Sequence, residues 1–125
     1  MQNKIVIGIV TRGKQVLIVR RKQKERDLLW QFPGGAIKND ETAENAIVRE
    51  LKEETGINVL PIKYLGERIH PSTGKEINYW VCEFISGDLH ISDVDLDEVA
   101  WVPIFRLLSY FTTPVYKPIL DYLGI

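Results

Sequence analysis

Two stretches with apolar centres, 5–10 and 15–21, stand on either side of Thr11-Arg12-Gly13-Lys14. The polar, glycine-bearing break predicts two strands joined by a hairpin turn. Residues 29–32 form a short extended piece, because Phe32 precedes Pro33 and is biased away from helix. Gly34-Gly35 then predicts a tight turn and a close approach by a ligand. A different rhythm begins at Thr42. Helical spacing predicts a helix over Ala43–Thr55, with Thr42 as N-cap, Glu44 in the first turn where the dipole favours a negative charge, and Gly56 as C-cap. Further strands are expected at 62–69 and 76–85, joined across Pro71-Ser72-Thr73-Gly74, and at 99–102. Thr113-Pro114 predicts the start of a last helix, which Gly124 closes. Strands mixed with two or three helices indicate an α/β sandwich, in one domain over residues 1–125.

The central helix has an unusual face. Counted from Ala43 at about 100° per residue, Ala46 and Ile47 fall near ~300° and ~40° and mark the apolar side. Glu50 and Glu54 fall at about 340° and about 20°, inside the same arc, with Glu53 beside it at about 280°. The carboxylates therefore point where a globular helix points its core side chains. Buried like charges are costly unless a cation neutralises them. A dense set of oxygen ligands suits Mg²⁺ or Mn²⁺. The plainer alternative is a solvated, charged helix face.

Residues 35–57 also carry a specific spacing. Gly35, Glu41, Arg49, Glu50, Leu51, Glu53, Glu54, Gly56 and Ile57 fill every specified position of G-x5-E-x7-R-E-U-x-E-E-x-G-U, where U is aliphatic. The chain thus resembles the Nudix hydrolases. Trp30-Gln31-Phe32-Pro33-Gly34-Gly35 is similar to the strand-to-loop approach of MutT-type members. The resemblance implies a mixed sheet between helices (α/β/α), and hydrolysis of a nucleoside diphosphate linked to another group. It implies that Glu50, Glu53 and Glu54, with the Gly35 carbonyl, hold Mg²⁺ (or Mn²⁺). A further carboxylate would come from the acidic stretch before Trp101, where Asp95 and Glu98 are the candidates. Glu50 or Glu53 would be the general base. Arg49 and Glu41 would pair and fix the loop against the helix, a surface salt bridge being the plainer alternative. The resemblance also implies an arginine at the end of the second strand that reaches the triphosphate or the base. Strand alternation sends Arg20 and Arg21 to opposite faces, and Arg21 is the candidate.

For the base, Phe32 adjoins Gly34-Gly35, and Tyr79 and Trp80 face opposite sides of one strand. Phe32 and Tyr79 are the candidate stacking surfaces, beside Gly34 in the substrate loop, with core packing as the competing reading for each ring. Trp101 and residues 105–110 read as core or helix packing, and His70 and His90 as loop or edge residues. Lys14 and Lys75 are cations without positional support. Relatives that read a guanine-type base place an Asn or Asp just before the last helix. Here the segment is Tyr110-Phe111-Thr112-Thr113-Pro114, and a threonine cannot make the two-point contact of an amide. Pro71 stands at the distance where ADP-ribose-cleaving members carry a proline, although an ordinary turn also accounts for it.

Composition narrows the partners. Hydrophobic residues make up 45%, with three Trp, five Tyr and four Phe, enough for a packed core. A net charge of −1 gives no global field to attract nucleic acid polymers or membranes. The only charge run is residues 20–27, too short for an RNA-binding stripe. The single cysteine, Cys82, excludes an internal disulfide and fits a reducing cytoplasm. The run at 5–10 is too short to span a membrane and lacks a signal-peptide pattern. The expected protein is cytoplasmic, a monomer or homodimer, with a small nucleotide as partner. Its expected activity is Mg²⁺-dependent conversion of a (deoxy)nucleoside triphosphate to monophosphate and pyrophosphate. That suits nucleotide-pool housecleaning, on a pyrimidine or a damaged base. Cleavage of ADP-ribose or dinucleoside polyphosphates is the alternative within the class, and a non-catalytic nucleotide sensor the alternative outside it.

Overall fold

The computed structural model describes residues 3–22 and 29–125. Its elements run β1 (Lys4–Arg12), β2 (Gln15–Arg21), β3 (Leu29–Gln31), β4 (Gly34–Ala36), α1 (Ala43–Thr55), β5 (Asn58–Ile69), β6 (Glu76–Ser86), β7 (Leu96–Pro103), α2 (Leu107–Tyr110) and α3 (Lys117–Leu123). A 3₁₀ turn at Ile104–Arg106 leads into α2. The two apolar runs become β1 and β2 in the middle of the order β3-β2-β1-β6-β5. Both faces of these strands are covered, so they read as unbroken apolar runs rather than alternating ones.

The sheet forks. β1 runs parallel to β6 from Lys4↔Glu76 to Thr11↔Glu83. The β1–β2 hairpin, in contrast, is paired only at Thr11↔Val16 and Arg12↔Gln15. Beyond those rungs the two strands part. β4 takes the freed edge of β1 through Ile5↔Ala36, Val6↔Gly35 and Ile7↔Gly34, and β3 takes that of β2. The Gly8 N–H donates to the Pro33 carbonyl at 2.9 Å, holding the link between β3 and β4 inside the fork.

α1 covers one face over Val6, Val10, Leu17, Ala46, Ile47, Leu51, Ile57, Val59 and Cys82. α2 and α3 cover the other over Ile9, Val16, Ile18, Phe32, Ile77, Tyr79, Val102, Leu107 and Ile119. This is the helix–sheet–helix sandwich expected from the sequence. Burial pushes the Cys82 thiol up to about 12, so it stays neutral.

The caps of α1 are as expected: Thr42 Oγ1 accepts from the Asn45 N–H at 3.1 Å, and Gly56 ends the helix at φ 82°. Other boundaries differ from the sequence reading. β5 begins at Asn58, not at 62, because it is an edge strand. There Pro61 is tolerated beside an irregular rung between Pro61 and Lys63. β7 is longer than 99–102. The last helix begins at Lys117 with Pro118 in its first turn, so Pro114 lies in the preceding loop. Phe105, expected to pack, is 77% exposed.

Candidate active site

α1 carries its carboxylates to the fork. Glu54 is only 2% exposed. Its Oε1 accepts from the Gly34 N–H at 2.9 Å, and its Oε2 accepts from Arg21 Nη2 at 2.5 Å. Arg21 Nη2 also lies 3.3 Å from the Gly34 carbonyl. Burial pushes the Glu54 carboxyl up from its ordinary value, against the opposing pull of the Arg21 charge and the Gly34 N–H.

The glycine pair is not the tight turn expected. Gly34 and Gly35 lie in β4, neither at positive φ. What requires glycine is crowding. A Cβ on Gly35 would stand 2.4 Å from the Glu50 carboxylate, and one on Gly34 would stand 2.1 Å from the Val6 carbonyl oxygen.

Arg49 ties the remaining carboxylates together. Its Nε and Nη2 make a two-point pair with Glu41 at 2.8 and 2.9 Å. Nη1 donates to Glu50 at 2.8 Å and to Glu53 at 2.6 Å, and Nη2 to the Ala36 carbonyl at 3.0 Å. The hydrogen bonds from Arg49 hold the Glu41 carboxyl down to about 2, and Glu41 in turn raises Arg49. Glu41 also accepts from the Lys38 N–H at 3.0 Å. The pair therefore fastens the loop between β4 and α1 onto the helix, with side chains 22% and 16% exposed. That is more enclosed than an ordinary surface salt bridge.

Four carboxylates (Glu41, Glu50, Glu53, Glu54) thus meet two guanidiniums (Arg21, Arg49) by direct contact. Four less two leaves a formal excess of two negative charges. Glu53 is the most open member, with its side chain 54% exposed. An oxygen-only donor set with this excess fits a divalent cation. Among the described residues no three His, Cys, Asp or Glu side chains converge on one point. The two arginines are interleaved with the carboxylates instead.

In the acidic stretch before Trp101, Asp97 and Glu98 face Arg20, and Asp95 is tied through its main chain. Arg20 pairs with Asp97, and its Nη2 is 3.8 Å from the exposed Glu98. The Asp95 carbonyl accepts from the Lys22 N–H at 2.9 Å. Arg20 lies over the Trp30 ring while Arg21 turns to Glu54, so the two arginines diverge. Of the charge run at 20–27, residues 23–27 lie outside the described residues.

Beside the carboxylates lies a cavity of about 470 Å³. Arg21, Gly34 and Gly35 belong to both. Trp30, Phe32, Ile77, Tyr79, Phe111 and Tyr116 form apolar walls, and Gln31, Arg68, His70 and Thr113 supply polar atoms. Phe32 meets Phe111 edge-on at 4.9 Å, and Tyr79 stacks on Tyr116 at 4.5 Å. Trp80 faces away, against Tyr64. Sequence reasoning missed Arg68, Phe111 and Tyr116 and placed His70 in a loop. The signal for Arg68 is alternation: it shares a face with Ile77, its partner on β6, and that register is invisible without the pairing.

The sequence model of the NUDIX domain matches residues 1–123. The chain belongs to the Nudix hydrolase family. Members of this family act on pyrophosphate bonds of nucleotide-linked substrates. The Nudix chain is 35% identical over 102 residues to the putative mutator protein MutT4 of Mycobacterium tuberculosis. That match covers 74% of this chain but only 40% of the relative. It is 28% identical over 120 residues to the CTP pyrophosphohydrolase of Escherichia coli, covering 94% of this chain and 87% of that one. The solution structure of the E. coli ORF135 protein matches with a TM-score of 0.74 and 26% identity, over 94% of this chain and 85% of that one. A NUDIX hydrolase from Nitrosomonas europaea reaches a TM-score of 0.84 at 18% identity, over 98% and 70%, and shows the shared fold. Among the described residues, no helix is long and apolar enough to cross a membrane.

Proposed function

We propose that this Nudix chain hydrolyses a nucleoside or deoxynucleoside triphosphate to monophosphate and pyrophosphate, with Mg²⁺ as its cofactor. The observation that carries the proposal is the excess of carboxylate over guanidinium beside an aromatic-walled cavity. Glu50, Glu53 and Glu54, with the Gly35 carbonyl, would hold the cation. When bound, such an ion neutralises phosphate oxygens and lowers the pKa of a water. Arg49 Nη1 holds Glu50 and Glu53 each by Oε1 alone, which leaves the second oxygen of either to take the proton of an attacking water. Arg21 brings a positive charge to the cavity end nearest Glu54, where it balances buried charge and meets the phosphates. Phe32 and Tyr79 offer ring faces to the base. Gly34 and Gly35 let β4 lie directly against the β1 backbone and the Glu50 carboxylate.

The names of relatives support a triphosphate substrate: a CTP pyrophosphohydrolase from E. coli and an 8-oxo-dGTP diphosphatase from Buchnera aphidicola. ADP-ribose is less favoured. Pro71 sits in an exposed turn closed by its neighbours' own bonds, His70 N–H to Lys75 O at 2.8 Å and Gly74 N–H to His70 O at 2.9 Å. It is not a wall of the cavity. The sensor reading is weakened because every carboxylate of the motif is retained. Action in the cytoplasm, as monomer or homodimer, completes the proposal.

The test is release of monophosphate and pyrophosphate with Mg²⁺ from a panel. It comprises standard and oxidised nucleoside triphosphates, ADP-ribose, diadenosine polyphosphates and NADH. Turnover of a triphosphate is expected, reduced about a hundredfold or more in Glu53→Gln while the fold is kept. Preference for ADP-ribose would move the protein to that branch. Nucleotide binding without any turnover would establish the sensor.

A further inference from the structure

Arg68 has a place in the cavity that the chemistry above leaves unused. Paired residues form one row across the sheet, Ala36, Ile5, Ile77 and Arg68, on β4, β1, β6 and β5. Three strand spacings of about 4.8 Å set the Arg68 backbone on the order of 14 Å from the glycine strand that abuts Glu50 and Glu54. An extended nucleotide spans a similar reach from its phosphates to its base. Arg68 Nε donates to the Tyr79 hydroxyl at 2.8 Å, and Tyr79 is itself stacked on Tyr116. One edge of the guanidinium is therefore fixed. Its two Nη atoms have no hydrogen bond or ion pair among the described residues. Arg21 and Arg49, in contrast, are both committed to carboxylates.

A planar fork of two parallel N–H donors matches two adjacent acceptors. Guanine offers N7 and O6, and cytosine offers N3 and O2. Adenine sets an amino donor beside each acceptor on its exposed edges. Uracil and thymine place an N–H between their carbonyls. In 8-oxoguanine N7 carries a hydrogen, so the purine pair of acceptors is lost. We infer that Arg68 is a specificity-determining residue that selects bases presenting two adjacent acceptors on one edge, guanine or cytosine. This rests on the triphosphate reading.

The test compares kcat/KM for CTP, GTP, ATP, UTP and 8-oxo-dGTP in the wild type, Arg68→Lys and Arg68→Gln, with Mg²⁺ and with Tm recorded. CTP or GTP is expected to exceed ATP, UTP and 8-oxo-dGTP by about tenfold to a hundredfold. That ratio should fall to within about threefold in both variants, because lysine keeps the charge but not the fork. CTP ahead of GTP names the pyrimidine edge, and GTP ahead of CTP names the purine edge. A wild-type preference for ATP, UTP or 8-oxo-dGTP, or a preference retained in the variants, overturns the inference. Absence of pyrophosphate release from every triphosphate overturns the parent reading instead. Equilibrium binding of CMP and GMP against AMP and UMP to the wild type then decides the role of Arg68 separately, as it does if the variants fail to fold. Equal affinities sink it.

Discussion

A single hydrogen atom at Gly35 leaves the space that the Glu50 carboxylate occupies. Gly35→Ala is therefore expected to displace Glu50, not to break a turn. Turnover should fall at least about tenfold, since loss of positioning in a preorganised site is felt mainly in kcat. Steady-state kinetics with a thermal melt check this, and kcat unchanged in a folded variant would refute the contact. The inward set of Glu50 and Glu54 was legible from helical periodicity alone, because 100° steps fix a face whatever the tertiary structure. The partners of those carboxylates were not. Arg21 and Gly34 reach Glu54 only because β1 and β2 separate, and no local pattern announces where a hairpin stops pairing.

At the scale of elements, α1 and the loop before it act as one unit through Arg49. Lysine cannot reproduce a guanidinium that serves Glu41, Glu50, Glu53 and the Ala36 carbonyl together. Arg49→Lys should lower stability by on the order of 1–3 kcal/mol, since charged hydrogen-bond partners are left unmet in a partly enclosed site. It should also reduce turnover. Denaturant melts with steady-state rates measure both, and a variant equal to wild type in each would show the pair to be an ordinary surface bridge. The limits of α1 were readable because Thr42 and Gly56 each have one role open to them there. The start of α3 was not, because Pro114 and Pro118 satisfy the same N-terminal preference, and only packing chooses between them. The start of β5 at Asn58 was not readable either, because Pro61 is tolerated on an edge strand where a central one would exclude it.

For the whole molecule, the excess of two negative charges makes stability depend on cations. Mg²⁺ should raise Tm by mass action, with a stabilisation of about 2.7 kcal/mol at a hundred times its Kd. Melts with and without millimolar Mg²⁺ test this. The shift should shrink in Glu54→Gln, and no shift in either protein would argue against a shared cation site. The layered architecture was legible, because buried strands and an amphipathic helix leave strong marks in the chain. The cavity was not, since its walls come from β1 to β6, the loop before α3 and α3 itself, which only the finished sheet brings together. The forked sheet also sets an order in time. Ile5 and Ile77 pair across a separation of 72 residues (77 less 5). During synthesis β1 and β2 are therefore made well before β6. Throughout that interval the edge of β1 destined for β6 stands open, an apolar template on which another unfinished chain can dock.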